Sequence, residues 1–275
     1  MDKKIENIGT LSGKVLLFGG VYSNLQALEA LKTFAEANEI SPENCICTGD
    51  IVGYCVQPEE TVQLFKSWKA KSIAGNVEMQ LVSGADNCGC AFEEGSRCDV
   101  LSEQWYEYAQ SKISTSSLSF LKDLPEHIQF NYANKQITLV HGSFFNTSEF
   151  IFKSTNWDVK QANFEATNSD VIIAGHCGLP FYEENNNKIW INPGVIGMPA
   201  NNGSPHVWFA ILEDTKGQFS FKFHNLDYDF ELASQLMQSN KLPESYAQTL
   251  KIGIWDNMEI LPLTEQKQQG LKINL

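Results

Sequence analysis

Five short segments, each a cluster of glycine with Asp, Asn or His, punctuate this chain where an apolar run ends. In order they are Phe18-Gly19-Gly20-Val21-Tyr22-Ser23-Asn24, Thr48-Gly49-Asp50, Gly75-Asn76-Val77-Glu78, Val140-His141-Gly142 and Gly175-His176-Cys177-Gly178. All but Gly75-Asn76 follow a run rich in Val, Ile or Leu. Such runs predict buried strands, with the segments at their C-terminal ends. In open α/β sheets those ends open into a crevice walled by loops, and ligands bind there. The pattern therefore predicts an α/β fold and one shared site.

Asp50, Asn76, His141 and His176 are the residues this placement would bring together. One carboxylate, one amide oxygen and two imidazoles form a mixed oxygen and nitrogen set suited to Zn, Mn or Fe. Each residue alone has a plainer reading. An Asp after Gly commonly caps a turn, Asn76 alone would be a turn residue, and a lone His at the end of an apolar run is usually a satisfied core residue. Two of only five histidines in this position, each beside a glycine that permits close backbone approach, favour the ligand reading. Gly19-Gly20 after a strand also invites a dinucleotide reading. The third glycine of that fingerprint is absent, and no acidic residue closes a second strand about 20 positions on.

The order and chemistry of the segments resemble the calcineurin-like metallophosphoesterases, in particular their small bacterial phosphatase and phosphodiesterase branch. That family typically reads Asp-x-His-Gly-Asn-Leu, Gly-Asp, Gly-Asn-His-Asp/Glu, His-Gly and Gly-His-x-His. The resemblance runs from about Lys14 to Gly197, with Asn24-Leu25, Gly49-Asp50-Ile51-Val52-Gly53-Tyr54 and Asn192-Pro193-Gly194 as secondary matches. It implies a four-layer α/β/β/α sandwich of two mixed sheets flanked by helices. Residues 1–275 are expected to form a single domain, with the motifs in about 14–197 and C-terminal strands and helices in 198–275.

Where the family places the Asp and His of its first motif, this chain has Gly20 and Tyr22. The third-motif His is Val77, and the last His of the fifth motif is Gly178. Carried over residue by residue, one metal site keeps Asp50, Asn76, His141 and His176. The other keeps only the shared Asp50. The resemblance thus implies a single divalent transition metal, Zn, Mn or Fe, with catalytic roles for Asp50, Asn76 and His141. Tyr22 and Asn76 are expected to face the substrate, although Tyr22 could equally pack. Loss of a general acid at Val77 costs about 10²–10⁴-fold in rate, which favours good leaving groups such as diesters, aryl esters or anhydrides.

Composition narrows the partners. A formal charge of −13 argues against a broad surface that tracks nucleic acid or an anionic membrane. The expected partner is a small phosphorylated substrate. No apolar run approaches the roughly 18 residues a membrane span requires, and the run from Val15 to Val21 reads as a strand and not a signal peptide. A cytoplasmic location is therefore expected, in which the Asn146 and Asn202 sequons carry no meaning.

Seven cysteines in a reducing compartment speak for free thiols or metal ligation before disulfides. Cys88, Cys90 and Cys98 fall in or beside a Gly-rich stretch from Ser83 to Arg97, Cys55 lies five residues past Asp50, and Cys177 follows His176. These five are candidate additional thiolate ligands or inert buried thiols. The leading functional expectation is a metal-dependent phosphoric-ester hydrolase, a phosphatase or phosphodiesterase, with an altered site. Two alternatives stay open: a catalytically inactive metal- or ligand-binding protein on the same fold, and a thiolate–metal site with chemistry unrelated to phosphate.

Periodicity predicts helices over Asn24–Ala37, from Pro58, from Asp99, around Leu118–Leu121 and within Val159–Thr167, with one or two more after Asp229. Strands are predicted at Lys14–Gly19, Cys45–Thr48, Lys71–Ala74, Ile128–Tyr132, Gln136–Val140, Val171–Ala174, Lys188–Ile191, His206–Leu212 and Phe219–Phe223. Hairpin turns are expected at Asn185-Asn186-Asn187 and Lys216-Gly217.

Overall fold

A computed structural model describes residues 4–275. Among them, eleven strands form two mixed sheets. The first sheet contains β1 (Ile5–Thr10), β5 (His127–Tyr132), β6 (Lys135–Leu139), β7 (Val171–Ile173), β8 (Phe181–Asn185) and β9 (Lys188–Asn192), in the order β1-β5-β6-β7-β9-β8. The second contains β2 (Val15–Phe18), β3 (Cys45–Cys47), β4 (Lys71–Ser72), β10 (Val207–Thr215) and β11 (Gln218–Leu226), in the order β11-β10-β2-β3-β4. With helices on the outer faces, the layers are α/β/β/α, as expected.

The continuous apolar runs follow from this layering, because central strands buried on both faces lose the polar alternation of a half-exposed strand. In β2, Val15 and Leu17 enter the core between the sheets, while Leu16 and Phe18 enter the core beneath the helices. In β7, Val171 and Ile173 face the inter-sheet core, and Ile172 faces the opposite side with Trp190.

Helices α1 (Leu25–Ala37), α2 (Pro58–Trp68), α3 (Asn76–Ser83), α4 (Arg97–Lys112), α5 (Thr115–Asp123) and α6 (Trp157–Thr167) flank the sheets, and all but α3 follow the sequence reading closely. The α3 helix is an addition to it. The tail carries α7 (Phe230–Ser239), α8 (Glu244–Ile252) and α9 (Leu263–Gln266). Asn24 caps α1, its side chain accepting from the Ala27 N–H. The start of α4 lies earlier than predicted: Ser96 is its N-cap, accepting from the Asp99 N–H, and Asp99 sits in the first turn. Residues 84–96 form the irregular stretch the glycines and cysteines foretold.

The predicted strands are all present within a few residues, whereas β1 and β8 were not foreseen. β1 is an edge strand exposed along most of its length, and β8 carries Glu183 and Glu184 on an edge, so neither shows a buried apolar run. β2, β3 and β4 pair in parallel, as do β6 and β7. Their C-terminal ends therefore point the same way within each sheet. The Gly19–Val195 bridge and the Gly19 N–H to Gly194 carbonyl bond (2.9 Å) join the first of these ends to the second half of the chain.

Candidate metal centre

The turn after β3 carries Asp50 in the left-handed region (φ 58°), and the turn after β7 carries His176 in the same region (φ 58°). Non-glycine residues held there cost free energy and gather at functional sites. Gly75 makes the approach of the next segment possible. A Cβ there would stand 2.1 Å from Asp50 Oδ1. The start of α3 thus lies directly against the Asp50 carboxylate, with the Val77 N–H donating to Oδ1 at 3.3 Å. The positive end of a helix favours a carboxylate in that position.

Glu78 ties these turns together. It is fully buried, and its carboxylate accepts from the backbone N–H groups of Asp50 (2.8 Å), Val52 (3.1 Å) and Gly75 (2.8 Å). Burial and then the Asp50 charge push its carboxyl up to about 7. The sequence reading quoted Glu78 and gave it no role. The signal was an acidic residue two positions after Asn76, which on a helix start can reach back to the loop.

Three ligand-type atoms converge on His141. Its Nε2 lies 3.2 Å from Asp50 Oδ2, 3.0 Å from Asn76 Oδ1 and 3.2 Å from His176 Nδ1. The ligand atoms of Asp50, His141 and His176 all fall within 4.8 Å of one another. His141 Nδ1 stands 2.6 Å from the Thr48 carbonyl, an acceptor only, so Nδ1 carries a proton, and in the neutral ring Nε2 presents its lone pair inward. Asn76 is oriented likewise: its Nδ2 donates to the Cys88 carbonyl (2.8 Å) and Cys90 Sγ (3.2 Å), leaving Oδ1 aimed at His141.

Two acceptor oxygens, Asp50 Oδ2 and Asn76 Oδ1, therefore face the lone pair of His141 when its imidazole is neutral, in a buried site. That arrangement is repulsive until a cation enters. A proton is one such cation. Burial works against the His141 imidazolium, but the Asp50 carboxylate and the Thr48 carbonyl outweigh it and raise the pKa. A metal ion is the other. Ligand atoms sharing one ion at about 2.1 Å stand roughly 3–3.5 Å apart, as Asp50 Oδ2, Asn76 Oδ1 and His176 Nδ1 each do from His141 Nε2. Burial and the neighbouring His141 push His176 down to about 3, so it stays neutral and able to donate a lone pair. The residues present fit one divalent ion. The hydrogen bonds that His141 donates to the Thr48 carbonyl and Asn76 to the Cys88 carbonyl and Cys90 Sγ are outer contacts of the kind that fix tautomer and orientation in such sites.

The other half of the crevice is different. Gly20 has no side chain, and the Tyr22 ring folds back over it. A Cβ at Gly20 would stand 2.3 Å from Tyr22 Cζ. The Tyr22 ring packs edge-on against Tyr54 (4.6 Å between centroids), which stacks on Trp105 (4.9 Å). Burial and then Asp50 raise the Tyr22 hydroxyl well above its ordinary pKa, so it holds its proton. Gly178, at φ 76°, faces Trp255, whose ring would lie 3.6 Å from an added Cβ. Val77 is buried beside Asp50.

Among the described residues, no candidate thiol joins the compact set of Asp50, His141 and His176. Cys90, Cys98 and Cys177 line the cavity with Asp50 and His176. Cys90 lies against Asn76, and Cys98 Sγ donates to Asn257 Oδ1 at 3.2 Å. Cys177 Sγ accepts from Asn192 Nδ2 at 3.1 Å, and the same amide holds the Gly175 carbonyl at 2.8 Å, so Asn192 braces the His176 turn. Cys55 is buried beneath the Gly197 carbonyl. Burial pushes Cys55 and Cys177 up to about 12, and Cys98 to about 11. All seven cysteines are unpaired.

A strap, residues 253–262, closes the site. Trp255, Asp256, Asn257 and Ile260 line the cavity, which encloses about 80 Å³. The Trp255 Nε1–H donates to the Pro199 carbonyl at 2.7 Å. The Glu259 carboxylate accepts from the Arg97 (3.1 Å) and Cys98 (3.0 Å) N–H groups at the start of α4, and Arg97 pairs with Asp256. No sequence signal marked this strap, because its partners lie about 160 residues away. Phe150, from the turn after β6, packs on the His176 ring at 4.3 Å and was also unforeseen.

Comparison with known proteins agrees with this geometry. The model of the calcineurin-like phosphoesterase superfamily domain matches residues 17–216. The chain is 25% identical over 256 residues to the uncharacterized protein MJ0912 of Methanocaldococcus jannaschii, covering 87% of this chain and 98% of that one. A metallophosphoesterase from Sphaerobacter thermophilus shares the fold with a TM-score of 0.69 at 24% identity, over 89% of this chain and 100% of that chain. The hypothetical protein PH1004 from Pyrococcus horikoshii OT3 does so with a TM-score of 0.71 at 20% identity, over 88% and 99%. Among the described residues, no helix is long and apolar enough to cross a membrane.

Proposed function

The chain belongs to the calcineurin-like phosphoesterase superfamily, and from that premise we propose that it is a metal-dependent phosphoric-ester hydrolase working with one divalent ion, Zn, Mn or Fe. Asp50, Asn76, His141 and His176 would hold the ion, and a small phosphorylated molecule would be the substrate. The observation that carries this reading is the convergence of Asp50 Oδ2, Asn76 Oδ1 and His176 Nδ1 on Nε2 of His141. A second ion of the usual paired kind has no such set, because the Tyr22 ring fills the space over Gly20 and Gly178 offers no donor.

When bound, the ion supplies Lewis-acid polarisation of a phosphoryl oxygen and lowers the pKa of a water towards roughly 7. The chain's own residues do the rest. Asp50 provides the negative charge of the set, and His141 is held in one tautomer by Thr48. The strap and the aromatic residues exclude bulk water. Tyr22 keeps its proton and Val77 has none to give, so the leaving group must depart without strong acid assistance from these two positions.

Hydrolysis of p-nitrophenyl esters under added Mn, Zn or Fe, with His141→Ala as control, tests the reading. Metal-dependent turnover lost in the variant is expected. Turnover unchanged in His141→Ala would sink it. One observation favours a second reading, a binding protein without turnover: the cavity is only about 80 Å³ and the third-motif imidazole is replaced by buried Val77. Metal binding without hydrolysis of any ester would select that alternative. Metal content that falls on alkylation of the cysteines would select the thiolate reading instead.

A further inference from the structure

We infer that Cys88 and Cys90 form a redox site: a hydroperoxide joins their sulfurs in a disulfide, and closing that bond releases the Asn76 carboxamide from its present hold. The disulfide itself stands on the geometry of the loop. Its effect on metal binding rests on the single-ion reading above.

The pair is placed for bond formation. Only Gly89 separates the two residues, and their thiols touch, Cys90 donating to Cys88. Residues two apart span at most about 7 Å, and a disulfide joins Cα atoms about 4.4–6.8 Å apart. Gly89 stands in the left-handed region (φ 70°), and an added Cβ there would meet the Gln80 side chain at 2.7 Å. The turn that brings the thiols together therefore needs glycine. Of the seven cysteines, Cys90 alone is not buried, and it lines the cavity, so a small oxidant meets its sulfur first.

The chemistry balances. The Cys90 sulfur attacks one oxygen of the hydroperoxide. The O–O bond breaks, an S–O bond forms, and water or an alcohol leaves with the thiol proton. The Cys88 sulfur then attacks the Cys90 sulfur. The S–O bond breaks, the S–S bond forms, and the hydroxyl leaves as water with the Cys88 proton. Two thiols have given up two electrons, and the peroxide has taken them. A small dithiol reverses the step by exchange.

Asn76 feels this bond because both acceptors of its Nδ2 belong to the pair: the Cys88 carbonyl at 2.8 Å and Cys90 Sγ at 3.2 Å. The Cys88 carbonyl carbon and the Cys90 sulfur are both members of the small ring that the disulfide closes, so ring closure moves both. Asn76 Oδ1, now held 3.0 Å from His141 Nε2, then loses its fixed direction. Loss of an outer contact of this kind weakens metal binding by about 10–100-fold. By reciprocity, saturating metal favours the dithiol, and a tenfold preference raises its reduction potential by about 30 mV.

The test treats the metal-free protein with equimolar hydrogen peroxide and digests it with trypsin. Residues 72–97 form one tryptic peptide, whose only cysteines are Cys88 and Cys90. That peptide should become lighter by two hydrogen atoms and resist alkylation until dithiothreitol is added. An unchanged mass, or a disulfide from Cys90 to any other cysteine, overturns the redox site. Calorimetric titration with Mn should show affinity about tenfold or more weaker in the oxidised form, recovered with dithiothreitol. In Cys90→Ser, Mn affinity before and after peroxide should be equal, and the same loss as in the unaltered protein would overturn the assignment. If that variant does not fold, nuclear magnetic resonance of the unaltered, metal-free protein serves. The Asn76 side-chain amide signals, assigned by their loss in Asn76→Ala, should shift on oxidation. A disulfide with shifted Asn76 signals in a protein that binds no Mn upholds this inference and removes the single-ion reading. A disulfide with unmoved Asn76 signals, or with Mn affinity unchanged, overturns the coupling and leaves the single-ion reading standing.

Discussion

The retained half of the crevice and the vacated half stand on ends of the same strands, yet they are held by different forces. In the retained half, three of the four ligand-type side chains are oriented by a hydrogen bond with the backbone: His141 and Asn76 donate to the Thr48 and Cys88 carbonyls, and Asp50 accepts from the Val77 N–H. In the vacated half, rings pack on rings, from Tyr22 through Tyr54 to Trp105 and Tyr246. A polar site loses its function when one partner goes, whereas an aromatic cluster keeps its volume if another ring fills the space. Gly20 and Tyr22 lie on the turn after β2, beyond the strand itself, so the sheets form without a ligand at either position.

The largest break in this comparison comes from the retained half. His141→Ala or Asp50→Asn should lower metal affinity by more than about 100-fold, since even an outer contact of a metal ligand is worth 10–100-fold, and should abolish metal-dependent hydrolysis. Metal analysis after dialysis checks this. A variant that retains stoichiometric metal would place the ion elsewhere. The same substitution should leave the fold in place, as judged by circular dichroism, because neither residue belongs to the apolar cores.

The next effect tests the vacated half. Gly20→Asp alone forces its Cβ into the Tyr22 ring, where 2.3 Å separates the positions. Overpacking of this kind costs about 1–3 kcal/mol, and thermal melting would read it. Gly20→Asp with Tyr22→His should recover much of the loss, since the ring that clashes is gone. A second ion should require Gly178→His as well, at a further cost of roughly 1–2 kcal/mol for a side chain in the left-handed region. Two bound metals in the unaltered protein would refute the plugged half.

These two halves were unequally legible in the sequence. Asp50, His141 and His176 could be read as candidate ligands because each ends an apolar run beside glycine, and a run's end marks a strand's end; Asn76 was legible only through its place among the other segments. The absence of donors at Gly20, Val77 and Gly178 was also plain. What fills the space was not, because the return of the Tyr22 ring over Gly20 depends on left-handed backbone at Tyr22 (φ 53°) and Ser23 (φ 57°), which residue type does not announce. Glu78 was hidden for a related reason: its three acceptor contacts reach two turns whose meeting only the fold creates. Edge strands β1 and β8 lack the buried apolar signature, so their pairing is set by neighbours and not by their own pattern.

A smaller effect follows from Glu78. Its folded pKa, about 7, lies above the ordinary 4.5, so the folded state holds this proton more tightly than the unfolded chain. The resulting stability is fully present below about 4.5 and is lost as pH rises through 7. Melting temperature of the metal-free protein should therefore fall across that interval. Added Mn should flatten the dependence, because a nearby cation favours the ionised carboxyl. Glu78→Gln should flatten it too, at the cost of one N–H left facing an amide N–H in place of an oxygen. A metal-free protein whose stability rises over the same range would contradict the assignment.

The smallest effect concerns the strap that covers both halves. Arg97 is half exposed and its pairing with Asp256 is screened by solvent, so Arg97→Ala should shift the melting temperature less than any change above. Glu259→Ala removes the carboxylate that accepts the Arg97 and Cys98 N–H groups, two of the four donors that a helix start leaves without intrahelical partners. The Cys98 backbone bond is the main cause that holds the Glu259 carboxyl below its ordinary range, so this cap persists in mild acid. Hydrogen exchange separates a cover from a core element. In Glu259→Ala, the Cys98 amide and the backbone around Trp255 should exchange faster while strands β2 and β7 stay protected, because opening of the strap is local. If the strands lose protection in step with the strap, residues 253–262 belong to the cooperative fold. The two halves of the crevice would then be sealed by folding itself and not by a segment that can lift.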